Sequence, residues 1–187
     1  MRRAALIAIV GFVVSGASTA ADVGGVKLDD QANVGGQPIV LNGAGVRSRA
    51  FFKIYVASLY VPAKATSFDT VVAKGPRRIQ LNLLRNVTAD QLTEALTDGL
   101  TQNNSPAELD AVKPQTGELV SIMRLLGNAK EGDVITLDFV AGSTVIALKG
   151  AQKGSIAGEP FNRALTKIWL GDKPAQTDLK QAMLGGG

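Results

Sequence analysis

The stretch 41–61, LNGAGVRSRAFFKIYVASLYV, restricts the fold more than any other part of this 187-residue chain. It reads as two apolar strands joined by a short polar turn at Arg47-Ser48-Arg49. Successive side chains of a strand point to opposite faces. In 50–61, Phe52, Ile54, Val56 and Tyr60 therefore share one face, and Phe51, Tyr55, Ala57 and Leu59 the other. Both faces are apolar, and a strand of that kind needs a layer on each side, which places it inside a sheet. The stretch also holds both tyrosines of the chain, Tyr55 and Tyr60, with charged groups on either side. It is the first place to look for a ligand site.

Residues 26–30 and 37–46 read as strands separated by a turn signal at 33–36, and 77–84 alternates Ile79, Leu81 and Leu83 with Arg78, Gln80 and Asn82. The period then changes. Ser67 suits the cap of a short helix over 67–73, closed by Gly75-Pro76. Thr88 and Gln91 fit a capping box, followed by a stripe of Leu92, Leu96 and Leu100 on one helix face. Helical character resumes over 107–126, where Pro114 removes one amide and crowds the preceding turn, so two helices are expected. Strands return at 133–140, 144–149 and 151–157. Pro160 then opens a helix with Phe161, Leu165, Ile168 and Trp169 on one face and Gly171 as its stop, 178–184 forms a last short helix, and 185–187 is expected to be disordered. Strands, then helices, then strands and terminal helices predict an α+β fold, a large antiparallel sheet with helices layered on one face.

The chain has no cysteine and no histidine, which removes thiol nucleophiles, Ser-His-Asp triads and nearly every zinc, copper or haem ligation scheme. No metal or cofactor is expected. An anion would have to be held by arginine, lysine, hydroxyls or backbone amides. The first twenty residues resemble an export signal, with Arg2 and Arg3, an apolar 4–14 and a small-residue cleavage site ending at Ala20. The apolar run is broken by Gly11 and followed by Gly16 and Ser18, short of the ~20 residues that a membrane span needs. Cleavage near Ala20 would leave one domain, 21–187, periplasmic or secreted and not integral to a membrane. It would carry 18 basic against 16 acidic residues, a net charge of +2. No basic block with interleaved aromatics points to nucleic acid.

Leu41-Asn42-Gly43-Ala44-Gly45-Val46-Arg47, then 53–60 (KIYVASLY), and finally Ile168-Trp169-Leu170-Gly171-Asp172 with Asp178-Leu179-Lys180 resemble the chalcone isomerase fold family. The similarity is nearest to its bacterial, exported, chalcone-isomerase-like branch and extends over nearly all of 21–187. It implies an open-faced β-sandwich with a ligand cleft between sheet and helices. It also implies roles for residues. The isomerases use an arginine after a Gly-x-Gly segment, a threonine on the next strand, a tyrosine and an asparagine on a middle helix and a hydroxyl near the last helix. Arg47 matches the arginine, whereas the threonine position holds Tyr55, the hydroxyl position holds Ile168, and no tyrosine remains for the middle helix. Each missing oxyanion donor forfeits roughly 3 kcal/mol of transition-state stabilisation, so the resemblance points away from chalcone isomerisation. The non-catalytic relatives that bind fatty acids pair the same arginine with a tyrosine, and Arg47 and Tyr55 resemble that pair.

The implied function is therefore a periplasmic binding protein for a fatty acid or similar apolar carboxylate, held by Arg47 and Tyr55 with Arg85 as a further candidate ligand-binding residue. The alternatives are an isomerase or lyase acting on a small phenolic or enone substrate, and a partner-binding module without a small ligand. The expected turn raises a conflict. If the chain reverses at Ser48-Arg49, Tyr55 lies about six residues down the returning strand, roughly 20 Å from Arg47 at ~3.3 Å per residue. A wider turn with a bulge would remove the conflict. Otherwise Lys53, Arg78 or Arg85 would have to bind the anion. Read on their residues alone, Arg47 is a solvated turn arginine, Tyr55 and Trp169 are core aromatics, Arg85 pairs with a nearby acid, and Lys74, Arg77 and Arg78 form a solvated strand entrance.

Overall fold

A computed structural model describes residues 21–73 and 75–186, so the proposed export segment 1–20, Lys74 and Gly187 lie outside it. A small hairpin, β1 (Ala21–Val23) and β2 (Val26–Leu28), precedes a seven-stranded antiparallel sheet. The strands of that sheet follow chain order: β3 (Gln31–Val34), β4 (Gln37–Arg49), β5 (Phe52–Val61), β6 (Arg77–Leu83), β7 (Val134–Val140), β8 (Ser143–Leu148) and β9 (Ala151–Ala157). One short helix, α1 (Phe68–Ala73), joins β5 to β6, and three, α2 (Ala89–Asn103), α3 (Pro106–Ala111) and α4 (Lys113–Leu126), join β6 to β7. Two more close the chain, α5 (Glu159–Leu170) and α6 (Thr177–Met183). The predicted α+β fold, a large antiparallel sheet with helices on one face, is the fold observed.

Local chemistry explains most boundaries. Thr88 and Gln91 exchange the two bonds of a capping box at the start of α2, and Ser105 and Glu108 do the same for α3. Pro114 sits in the first turn of α4, where a missing amide costs nothing, so it separates α3 from α4 as expected. Alternation is clearest in β6 and β7, whose inward residues Ile79, Leu81, Ile135 and Leu137 meet Leu92, Leu96, Leu119, Met123, Leu165 and Trp169 in one core. Ala57, Leu59 and Val61 of β5 join that core, while Tyr60 faces the other way with Val34 and Ile39. The β1–β2 hairpin lies over the same outer face, with Gly24 against Val46 and Val56. β5 is therefore covered on both sides, as its composition requires.

Three expectations are corrected. The chain does not reverse at Arg47-Ser48-Arg49: β4 continues to Arg49, and the two-residue turn is Ala50-Phe51. The turn signal at 33–36 begins later, because Asn33 and Val34 already belong to β3 and pair with Pro38 and Gln37. Gly185 and Gly186 are not loose, since their amides donate to Ala182 O and Gln181 O and finish the last helix.

The glycines of 41–47 act inside β4 by admitting α6. A Cβ on Gly43 would lie 2.0 Å from the carbonyl oxygen of Ala182, and one on Gly45 would lie 3.0 Å from the Ala182 side chain and 3.1 Å from that of Leu179. Buried Asn42 then fixes the C-terminal end of α6. Its Nδ2 donates to Met183 O (2.7 Å) and Ala65 O (2.8 Å), and its Oδ1 accepts from Ala65 N (2.8 Å). Every hydrogen-bonding group of that amide is occupied, which offsets the cost of burying it.

Candidate functional site

A cavity of about 690 Å³ lies between the sheet and the helix layer. Its walls are apolar: Ile54, Leu81, Ile135 and Leu137 from the sheet, Leu92 and Leu96 from α2, Met123 from α4, and Ile168 and Trp169 from α5. Gly99 of α2 allows this layer to close, because a Cβ there would be 2.8 Å from Ile168 Cγ2. Polar groups meet the same space from both layers: Arg47, Arg49, Tyr55 and Arg85 from the sheet side, and Gln91, Glu94, Asp98 and Gln102 from α2. The volume is within the ~300–1,000 Å³ usual for small-ligand sites.

The structure brings Arg47 and Tyr55 together. They are direct partners across β4 and β5, and a β-bulge between Arg47 and Ser48 takes up the extra residue before the turn. The sequence conflict therefore disappears: the turn is two residues further on, and the bulge keeps both side chains at the cavity. Half-buried Tyr55 accepts a hydrogen bond from Trp169 Nε1 at 3.2 Å. Burial holds its hydroxyl above the ordinary phenol pKa, against the opposing pull of the Trp169 bond and of nearby Arg47. At neutral pH the phenol keeps its proton and remains a donor.

Arg47 is held in place by Gln176, a residue that sequence reasoning missed. Gln176 Oε1 accepts from Arg47 Nη1 (3.1 Å) and from Ser48 N (2.8 Å), and its Nε2 donates to Val46 O (3.2 Å). One side-chain amide thus clamps the bulge and the guanidinium together. Arg47 Nη1 also donates to Ser48 O. Among the described residues Arg47 forms no ion pair, although Asp178, at the start of α6, feels its charge weakly. No pattern near Arg47 could have revealed Gln176, because 129 residues separate them.

The other candidate cations separate clearly. Arg85 lines the cavity and stacks over the Phe52 ring at 4.7 Å, in place of the expected pairing with an acid. Arg78 forms a two-bond ion pair with Asp138, at 2.6 and 2.7 Å, and is thereby occupied. Lys53 is exposed and does not line the cavity. Arg77 is no solvated entrance residue, being only 3% exposed. Trp169 is core, as expected, but it also contributes to the cavity wall and orients Tyr55. Ile168 presents hydrocarbon to the cavity.

No curated protein matches the sequence. Among solved structures, the crystal structure of a fatty-acid binding protein from Arabidopsis thaliana is similar, with a TM-score of 0.61 at 13% identity over 82% of this chain and 95% of that one. At that identity the likeness is one of fold. A family model described as chalcone isomerase-like matches residues 20–185, nearly the whole length of the chain, and the protein belongs to the chalcone isomerase-like family.

Proposed function

We propose that this protein is a non-catalytic binding protein for a fatty acid or similar apolar carboxylate, working in the periplasm or outside the cell after removal of residues 1–20. One observation carries the reading. Arg47 is half-buried at a largely apolar cavity and, among the described residues, forms no ion pair, its charge reaching Asp178 only as a minor influence. A ligand carboxylate would supply the missing charge through charge-assisted bonds from the guanidinium, and Tyr55 would add a neutral donor. Arg47 has only donors to offer, and the Tyr55 oxygen already accepts from Trp169. The polar end is thus suited to an acceptor-rich anion, and the hydrocarbon walls to its tail. Arg85 is a secondary candidate for the same head group. The similar Arabidopsis structure, a fatty-acid binding protein, supports this choice of ligand class.

The test has two parts. Lipids extracted from the purified protein and identified by mass spectrometry should include fatty acids, and titration with palmitate should show saturable binding. Arg47→Ala should weaken palmitate about 10- to 100-fold, the equivalent of ~1.5–3 kcal/mol for hydrogen bonds to a charged group. Absence of both co-purified fatty acid and palmitate binding, or affinity unchanged in Arg47→Ala, would refute the proposal. Turnover of a chalcone-like enone that disappears in Arg47→Ala would support the isomerase or lyase alternative instead.

A further inference from the structure

Among the described residues, five hairpin turns contain two residues each: Gly24-Gly25, Gly35-Gly36, Ala50-Phe51, Ala141-Gly142 and Lys149-Gly150. Four of them have glycine in the second place with φ between +74° and +87°, a conformation that suits glycine and the twist of a hairpin. The exception is the β4–β5 turn. It begins with Ala50 at φ +53° and puts Phe51 where the others have glycine. Phe51 is fully exposed, and its neighbour Phe52 is 60% exposed. Among the described residues only one other large apolar side chain, Leu125, is exposed, so the two phenylalanines form the chain's exposed aromatic pair. Folding does not require a phenylalanine at this turn, since it touches no core.

The charges on the hairpin tip and stacked against it share one sign. Arg49 and Lys53 flank it on the two strands, and Arg85 stacks over Phe52. All three are exposed, and none has an ion pair among the described residues. Arg49, Ala50, Phe52 and Arg85 also line the cavity, so the turn is continuous with its entrance. The acids in the cavity lining, Glu94 and Asp98, belong to α2 and leave the hairpin itself cationic. Aromatic side chains that can enter a headgroup layer, ringed by cations that can meet anionic lipids, are the two components of peripheral membrane attachment.

We propose that the β4–β5 turn docks the protein on an anionic lipid bilayer, with Phe51 and Phe52 in the headgroup layer and Arg49, Lys53 and Arg85 against lipid phosphates. In that pose the cavity entrance meets the membrane surface, and an apolar molecule passes between bilayer and cavity without crossing open water. The docking is independent of which apolar molecule fills the cavity.

The experiment is co-sedimentation of the full chain with vesicles of phosphatidylcholine alone or mixed with phosphatidylglycerol. The protein should sediment with the anionic vesicles, remain free of the neutral ones, and be released at 0.5 M salt, roughly. Phe51→Ser should weaken attachment about tenfold or more, through loss of one buried aromatic side chain. Lys53→Gln should weaken it about fivefold, the share of one cation at an anionic surface. Neither residue lines the cavity, so both variants should bind palmitate in vesicle-free solution like the parent and keep its far-UV circular dichroism. Equal sedimentation with both vesicle types, none with either, or full attachment of Phe51→Ser would overturn the proposal. So would a Phe51-dependent dimer that ignores vesicles. Anionic-vesicle attachment that needs Phe51, in a protein that does not bind palmitate, would uphold the docking and remove only the ligand reading.

Discussion

Two arginines at opposite ends of one sheet, on strands separated by β5, lack an ion pair among the described residues, and they have been made safe in different ways. Arg77, at the start of β6, is 3% exposed. Its Nε and Nη2 donate to Thr166 Oγ1 (3.3 and 3.0 Å), Nη2 also donates to Asn162 O (3.2 Å), and its guanidinium lies 4.4 Å above the Phe139 ring. Burial lowers its pKa to about 10, with Glu159 opposing the shift. Arg47, near the end of β4, has one nitrogen engaged, by Ser48 O and Gln176 Oε1, and a cavity beside it. The first arginine is enclosed by acceptors of its own chain and serves the packing of α5 on the sheet. The second keeps donor capacity for something that enters from outside. A buried or half-buried cation without a carboxylate is therefore no sign of a binding site until its neutral acceptors have been counted.

Substitutions can break that contrast. Arg77→Ala should have the largest effect, a loss of about 2–4 kcal/mol of stability in denaturant unfolding, because it opens a cavity and leaves Thr166 Oγ1 without the guanidinium that donates to it. Palmitate affinity of the folded fraction should not change; a fall as large as that of Arg47→Ala would make the two arginines equivalent and end the distinction. Tyr55→Phe should weaken palmitate about fivefold, the value of ~1 kcal/mol for a neutral hydrogen bond, and should lower stability by about 1 kcal/mol because Trp169 Nε1 loses its acceptor. Gln176→Ala should do least. With the clamp on Ser48 N and Arg47 removed, calorimetry should show affinity falling by about two- to threefold, under ~1 kcal/mol, as a positioned donor becomes a mobile one. An effect equal to that of Arg47→Ala would mean that Gln176 touches the ligand itself.

Much of the fold was legible because its signals are local. Period-two alternation marked β6 and β7, a capping box marked α2, and Pro114 marked the break before α4. The end of β4 was not. Ser48 and Arg49 are polar and suggest a turn, whereas Ala50-Phe51 lacks the residues that turns prefer; the register is set by the bulge at Arg47 and by the strands beside it. Arg77 was open to a better reading, since it is in phase with Ile79, Leu81 and Leu83 and that alternation points it inward. The site divides in the same way. Arg47 and Tyr55 are on adjoining strands of one hairpin, so their meeting was within reach of the sequence. Gln176, just before α6, and Trp169, on α5, lie more than a hundred residues away and arrive through contacts that no spacing encodes.

The order of the strands has a consequence for how the cavity comes into being. β3, β4 and β5 are linked by two-residue turns, and so are β7, β8 and β9, whereas β6 is tied to each neighbour only through helical connections. The sheet is two three-stranded meanders with β6 as the joint. Each meander closes short loops, which costs little chain entropy, whereas their union has to close the longer helical connections on either side of β6. Arg47 and Tyr55 belong to one meander, Ile135 and Leu137 to the other, and Leu81 to the joint. Neither half contains a binding site. A molecule that reaches from the guanidinium to the far wall binds only the united sheet, so its binding free energy adds to the stability of the folded chain in proportion to how far its concentration exceeds its dissociation constant.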